Sequence, residues 1–221
     1  MPSTVVHVGL AGLLGIALLG DRFDTRAIVV VMAATALIDL DTLVGIYWQG
    51  AHRAVFHNVF VVLIPAIVLY WDVNWRETSF VRSRWGAYGY HVAWVTLVCV
   101  FVAHILLDAF YNGVALFWPL DTTFYDLSGE FYLSNHDGIV QTFVEISTND
   151  GSPSVDDSSV RGTTADTHYY TGFDPGPDAE PDTERIFPIA SSGELFVTAL
   201  AGYLAVGYRV WDDLRSPGED E

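Results

Sequence analysis

The stretch VAWVTLVCVFVAHILLDAFYNG, residues 92–113, decides the fold. From Val92 to Tyr111 it is apolar over the ~20 residues that a helix needs to cross a bilayer. Only His104 and Asp108 interrupt it with groups that carry charge near neutral pH. Their spacing of four places them about 40° apart around a helix axis, so both side chains can meet one ligand. Ionisable groups within a span are costly and mark a functional site by default. In a soluble helix such a pair would more simply be a hydrogen bond tying two helices together. Inside a membrane span, beside more groups of the same kind, His and Asp point to a metal.

Four further apolar runs accompany it: Val5–Leu19, Ala27–Trp48, Val55–Trp71 and Leu195–Trp211. The chain is 51% hydrophobic, and its mean hydropathy is +0.32. The expected fold is therefore all-α, a polytopic membrane bundle of about five spans. The first run is short for a crossing. It lacks the basic flank and small-residue cleavage pattern of a signal peptide, so it is expected to stay in the mature chain. Residues 1–120 form the expected helical core. Residues 121–192 form a long acidic extramembrane loop between the fourth and fifth spans, and 193–221 the last span and an acidic tail. Within the loop, Phe124–Leu133 and Gly138–Ile146 read as a short hairpin or interfacial segment. Asn149–Glu184 reads as flexible.

Net charge is −17, and all ten basic residues are arginine. Such a lysine-free acidic surface suits high salt, as in halophilic archaea. It excludes nucleic acid, which needs a basic footprint. The acidity by itself indicates solvation and names no substrate. The single cysteine, Cys99, cannot form an intrachain disulfide and reads as a small buried apolar residue.

Arginine placement orients the spans. With five crossings, Arg22, Arg26, Arg76, Arg82, Arg84, Arg209 and Arg215 share one side, expected to be cytoplasmic. The N-terminus and the acidic loop then face outward, with Arg53, Arg161 and Arg185. On this topology His7, Asp39, Asp41, His52, His57, His104 and Asp108 all fall in the outer half. The orientation used arginines alone, so this convergence is a separate observation.

Local spacing limits who can share a ligand. Asp39 and Asp41 point roughly 200° apart on a regular helix, so both reach one site only where the helix breaks. Otherwise Asp39 binds, while Asp41 serves a second ion or orients a histidine. His52 and His57 are about 140° apart if helical and flank one cavity, unless His52 lies on the preceding loop. Arg53 suits an anionic group such as phosphate, or snorkels to the headgroups. His7 alone would read as interfacial and gains weight from its company. His91 falls at the opposite end of its span, His136 can cap the site, and His168 is expected to be exposed. Gly113 permits the turn after the fourth span.

Together these elements resemble the YdjM family of LexA-binding, inner-membrane-associated hydrolases, also described as membrane-bound metal-dependent hydrolases. The family pattern is an N-terminal His, P-D-x-D, H-R-x-x-x-H and H-x-x-x-D, followed by a Gly and a W-P or L-P element. Its counterparts are His7, Ile38-Asp39-Leu40-Asp41, His52-Arg53 with His57, His104 with Asp108, Gly113 and Trp118-Pro119-Leu120. The resemblance covers roughly Met1–Leu120. Ile38 replaces the usual Pro, Phe56 a common Thr and Asn58 a common Ser; no ligand type is lost. The resemblance implies a metal-dependent hydrolase, and the expected cofactor is one or two divalent ions, zinc or manganese. A more distant likeness links the His/Asp set to zinc-dependent phospholipase C.

The expected ligands are His7, Asp39, Asp41, His52, His57, His104 and Asp108. Asp41 or His52 is the expected base, and Arg53 stabilises developing charge on a phosphoester or lipid-linked substrate at the outer face. A transporter or proton relay would need a polar path through the inner halves of the spans, and none is visible. A non-catalytic interaction protein with a structural metal would need four closed ligands, fewer than the candidates offered.

Overall fold

The computed structural model describes residues 2–144, 146–149, 152–155, 159–176, 180 and 182–215. The remaining residues of the stretch expected to be flexible, and the acidic tail after Arg215, lie outside the described residues. The chain divides into two compact units. One comprises Pro2–Ile38, Phe60–His104 and the chain from Pro188 onward; the other comprises Asp39–Val59 and Ile105–Phe187.

The first unit is helical. Helix α1 (Thr4–Leu19) starts at Ser3, whose hydroxyl accepts from the Val6 amide. Helix α2 (Thr25–Leu37) starts at Asp24, whose carboxylate accepts from the Ala27 amide at 2.7 Å. Each cap satisfies an amide that the first turn leaves without a partner. Helices α4 (Phe60–Asn74) and α5 (Phe80–Val100) meet at a corner built on Asp72. Its carboxylate accepts from Ser79 Oγ (2.6 Å), Arg76 (2.8 Å) and the amides of Phe80 and Val81 (3.0 Å each). Helix α7 (Gly193–Arg215) packs on α1 along a face of small residues. There a Cβ on Gly202 would sit 2.0 Å from the Gly9 carbonyl oxygen. In lipid, where apolar burial does not drive helices together, such backbone approach supplies the packing. Ala11, Ile28, Val31, Val95, Cys99 and Ala103 fill the core between them, as expected for Cys99.

Among the described residues, three helical stretches are long and apolar enough to cross a membrane: Thr4–Arg22, Thr25–Gly45 and Phe80–Tyr111. Helix α4 is shorter. It begins at Phe60, not Val55, because Asp41 takes the amides of Arg53 and Phe56 that a helix would use, and Arg53 sits at φ 65. The long stretch breaks at Gly86 (φ 66), passes through a π-helical turn at Phe101–Leu106 and ends in α6 (Leu107–Tyr111).

The second unit departs from an all-α expectation. It contains α3 (Asp41–Gly45), α6 and three small antiparallel sheets. Strand β1 (Thr123–Tyr125) pairs with β6 (Val160–Thr163). Strands β2 (Phe131–Ser134) and β3 (Gly138–Gln141) form the hairpin that their aromatic and β-branched residues predict. Strands β4 (Ile146–Asn149) and β5 (Ser152–Val155) pair where the stretch read as flexible, Asn149–Glu184, begins, and β5 and β6 lie within it. Short strands in an acidic, Ser/Thr/Gly-rich sequence carry little hydrophobic alternation, which hides them. Gly113, at φ 78, makes the turn after α6, and the Val114 amide then donates to Tyr125.

Candidate metal centre

In the second unit the site is organised by Asp41, fully buried at the first turn of α3. One carboxylate oxygen accepts from His52 Nδ1 and the other from His57 Nδ1, each at 2.8 Å. The second oxygen also accepts from the amides of Arg53 (3.2 Å) and Phe56 (3.3 Å). A carboxylate only accepts, so each Nδ1 carries the proton. His57 Nε2 faces Asp108 at 3.2 Å and Asp39 at 3.6 Å. His52 Nε2 is buried with no hydrogen-bond partner among the described residues.

The two aspartates spaced by two thus reach opposite edges of one imidazole. The break required for that is present: a 3₁₀ turn, Ile38–Leu40, separates α2 from α3. His52 lies in turns and not on a helix, so the 140° estimate does not apply.

Arg53 is fully buried in the left-handed region. That backbone state costs a non-glycine residue about 1–2 kcal/mol. Its guanidinium donates to Asp108 Oδ1 at 2.6 Å and to the Gly113 carbonyl at 3.0 Å. It is therefore engaged within the protein and neither snorkels nor stands free for a substrate anion. Tyr169 lies over it, 5.0 Å from ring centroid to guanidinium carbon. Burial pushes the Tyr169 phenol up. Nearby, burial opposes charge on Asp126, yet Ser128 and Arg161 hold its carboxyl below the usual range.

In the first unit, His7 on α1 and His104 in the π turn are buried and stacked, with centroids 3.8 Å apart and planes 10° apart. His7 Nδ1 donates to the Ala103 carbonyl at 2.8 Å, and His104 Nδ1 to the Thr35 carbonyl at 2.9 Å. All four expected histidines therefore have Nδ1 on a fixed oxygen. That second hydrogen bond is what orients a metal-ligating imidazole. Buried His and Asp side chains of this kind can hold a metal ion.

The chemistry of the donors fits a divalent cation. Asp39, Asp41 and Asp108 bring three carboxylates against the one guanidinium of Arg53. Even with His57 protonated between its carboxylates that set stays negative, and low-dielectric surroundings favour a balancing cation. Nitrogen and carboxylate oxygen donors suit zinc or manganese.

Other histidines fall elsewhere. His136 sits exposed in the β2–β3 turn. His91 bonds the Leu18 carbonyl. His168, expected to be exposed, is half-buried: its Nδ1 accepts from the Gly50 amide and its Nε2 pairs with Asp174 at 2.8 Å. Sequence reasoning missed Tyr169, a lone aromatic pair member in an acidic stretch with no spacing signal. It also missed Thr42, whose hydroxyl lies 3.1 Å from His52 Nδ1.

No curated protein and no solved structure matches the chain. A family model does, over residues 1–156, a range that contains every expected site residue. With three apolar helices long enough to cross a bilayer and this model spanning most of its length, the chain belongs to the YdjM inner membrane protein family.

Proposed function

We propose that this membrane protein is a hydrolase that uses one or two divalent ions, zinc or manganese, on a phosphoester or lipid-linked substrate at the extracytoplasmic face. The observation that carries the reading is the Nδ1 pattern: four buried imidazoles, each pinned through Nδ1 to a carboxylate or carbonyl oxygen. A fold needing only helix ties has no use for four such locked rings; a metal centre does.

Asp39, His57 and Asp108 are the proposed ligands from one unit. His7 and His104 are a stacked pair of the other unit, each with Nδ1 on a carbonyl oxygen, and are proposed as further ligands in their own right. Asp41 locks the His52 and His57 tautomers. His52, with an unpartnered Nε2, is the proposed base toward an attacking water. Arg53 acts through Asp108 and holds one of its oxygens while the other faces His57. A divalent ion bound there supplies Lewis acidity toward a substrate oxygen.

The proposed topology has five crossings, with α4 and α7 joining the three long helices. It places Arg22, Arg26, Arg76, Arg82 and Arg84 inside and the site outside. The lipid bilayer is then the immediate partner, and the acidic, lysine-free surface supports work in high salt.

The test is elemental analysis of detergent-purified protein, with His104→Ala/Asp108→Ala beside wild type. Stoichiometric zinc or manganese lost in the double variant, together with saturable hydrolysis of a generic phosphoester, is the expected result. A wild type that stays metal-free after reconstitution with divalent ions overturns the reading.

A further inference from the structure

The family match ends at residue 156, yet the chain beyond it lies against the His52–Arg53 turn. Strand β6 pairs with β1, and the Thr164 amide donates to Thr122 at 3.0 Å. The Thr164 backbone packs so closely on Gly50 that a Cβ there would come 2.1 Å from the Thr164 carbonyl oxygen. His168 accepts from the Gly50 amide. Tyr169 follows: its hydroxyl donates to the Asn112 carbonyl at 2.7 Å, and its ring packs edge-on against Phe124 at 5.3 Å. One face of that ring covers the Arg53 guanidinium, and the ring stands 6.4 Å from His52, edge to face.

We infer that Tyr169 is a positioning residue of the centre: it holds the Arg53 guanidinium in the plane that pairs with Asp108. Arg53 Nε is buried without a hydrogen-bond partner among the described residues, and Gly113, Asp108 and the ring face hold the head group. A desolvated guanidinium over an aromatic face is attracted to it, and a planar fork held there keeps its hydrogen bonds in line. Asp108 receives Arg53 on one oxygen and faces His57 with the other. Tyr169 thereby sets the direction of a proposed ligand that it does not touch. The functional consequence rests on the proposed metal reading; the cover over Arg53 does not.

The experiment uses the full chain in detergent, as wild type, Tyr169→Phe and Tyr169→Leu. Arginines are labelled with phenylglyoxal and mapped by peptide mass spectrometry, and zinc affinity is measured on the same samples. Arg53 is expected to stay protected in wild type and in Tyr169→Phe, which keeps the ring. In Tyr169→Leu it labels several-fold faster while Arg76 is unchanged, and zinc affinity falls about tenfold, the scale of losing an outer-shell partner. Arg53 equally protected in Tyr169→Leu overturns the inference and leaves the metal reading standing. Arg53 uncovered with zinc affinity unchanged also overturns it, because the ring then merely covers. A wild type that binds no zinc but shows ring-dependent protection overturns the metal reading and supports the Tyr169–Arg53 coupling. Tyr169→Met, which has bulk without a ring, gives the same readings if Tyr169→Leu does not fold.

Discussion

Gly202→Ala tests the packing of the helical unit with a built-in control. A Cβ on Gly202 meets the Gly9 carbonyl oxygen at 2.0 Å, its carbon at 2.5 Å and its Cα at 2.9 Å. All three are backbone atoms, so no side chain can turn aside. Ordinary contact begins near 3.4 Å, and α7 must retreat from α1 by about 1.4 Å. A gap of 0.5–1 Å already forfeits a quarter to a half of each van der Waals contact, so the whole seam around Gly9, Ala199 and Gly202 loosens. Overpacking of this kind costs typically 1–3 kcal/mol. Gly207 lies five residues along the same helix, and a Cβ there meets nothing within 4 Å. Gly207→Ala gains helix propensity of up to about 1 kcal/mol. The two substitutions are chemically identical on one helix and carry opposite predicted signs. Thermal unfolding in one detergent should place Gly202→Ala below wild type and Gly207→Ala at or above it. Equal midpoints for the two variants would refute the close approach of α1 and α7.

Asp41→Asn keeps shape but leaves one accepting oxygen for two Nδ1–H donors, so one imidazole must change tautomer. Zinc affinity should fall roughly 10–100-fold by equilibrium dialysis with helicity unchanged. Asp72→Asn should lower the unfolding midpoint by a few degrees, because an amide cannot accept from all four donors at the α4–α5 corner. The Ser79 hydroxyl, then the Val81 and Phe80 amides and Arg76, hold the Asp72 carboxyl well below the usual range against burial. Its contribution is therefore complete above the ordinary carboxylate value of ~4 and is lost as pH falls below it. The midpoint of wild type should drop over that acid range, and that of Asp72→Asn should drop less. Gly50→Ala adds a Cβ to a residue at φ 80 against the Thr164 backbone. Hydrogen exchange should show residues 160–174 losing protection while α1 and α5 keep theirs.

The residues of the centre were legible in sequence for a physical reason. Charge in an apolar run is expensive, so His104 and Asp108 stand out from Val92–Tyr111 without any structure. Their roles were not legible. Spacing says which side chains share a helix face, but Asp39, Asp41, His52 and His57 occupy a 3₁₀ turn, a helix start and a run of turns. No periodicity survives there. Arg53 is the clearest case: adjacent to His52 and basic, it reads as an anion binder until its left-handed backbone and its bonds to Asp108 and Gly113 are seen. The helical unit shows the converse. Apolar length announced α1, α2 and α5, but the glycine seam between α1 and α7 has no polar residue to mark it. Strands β4 to β6 stayed hidden because pairing supplies what hydrophobic alternation does not.

Asp41 also explains how a carboxylate can be stable where it is. Bare burial of the ion would cost several kcal/mol. Two imidazole N–H groups and two amides converge on it, and the three carboxylates of the centre outnumber its cations even with His57 protonated. Hydrogen bonding then meets the demand for donors but leaves the charge. Around His57 Nε2 the carboxylates of Asp39 and Asp108 converge, and Arg53 pairs with Asp108 alone. A fold that merely needed polar ties could have used Asn or Ser at these positions. Keeping carboxylates beside imidazoles whose protons are held on Nδ1 makes sense where a cation completes the set. The corresponding measurement is stability against zinc concentration: a cation that binds only the folded chain raises the unfolding midpoint by mass action. Wild type should gain with added zinc, and Asp39→Asn, which leaves the Arg53–Asp108 pair intact, should start from a metal-free midpoint at or above wild type and gain less. A metal-free Asp39→Asn less stable than metal-free wild type would refute the argument that this carboxylate is held there at a cost to the fold.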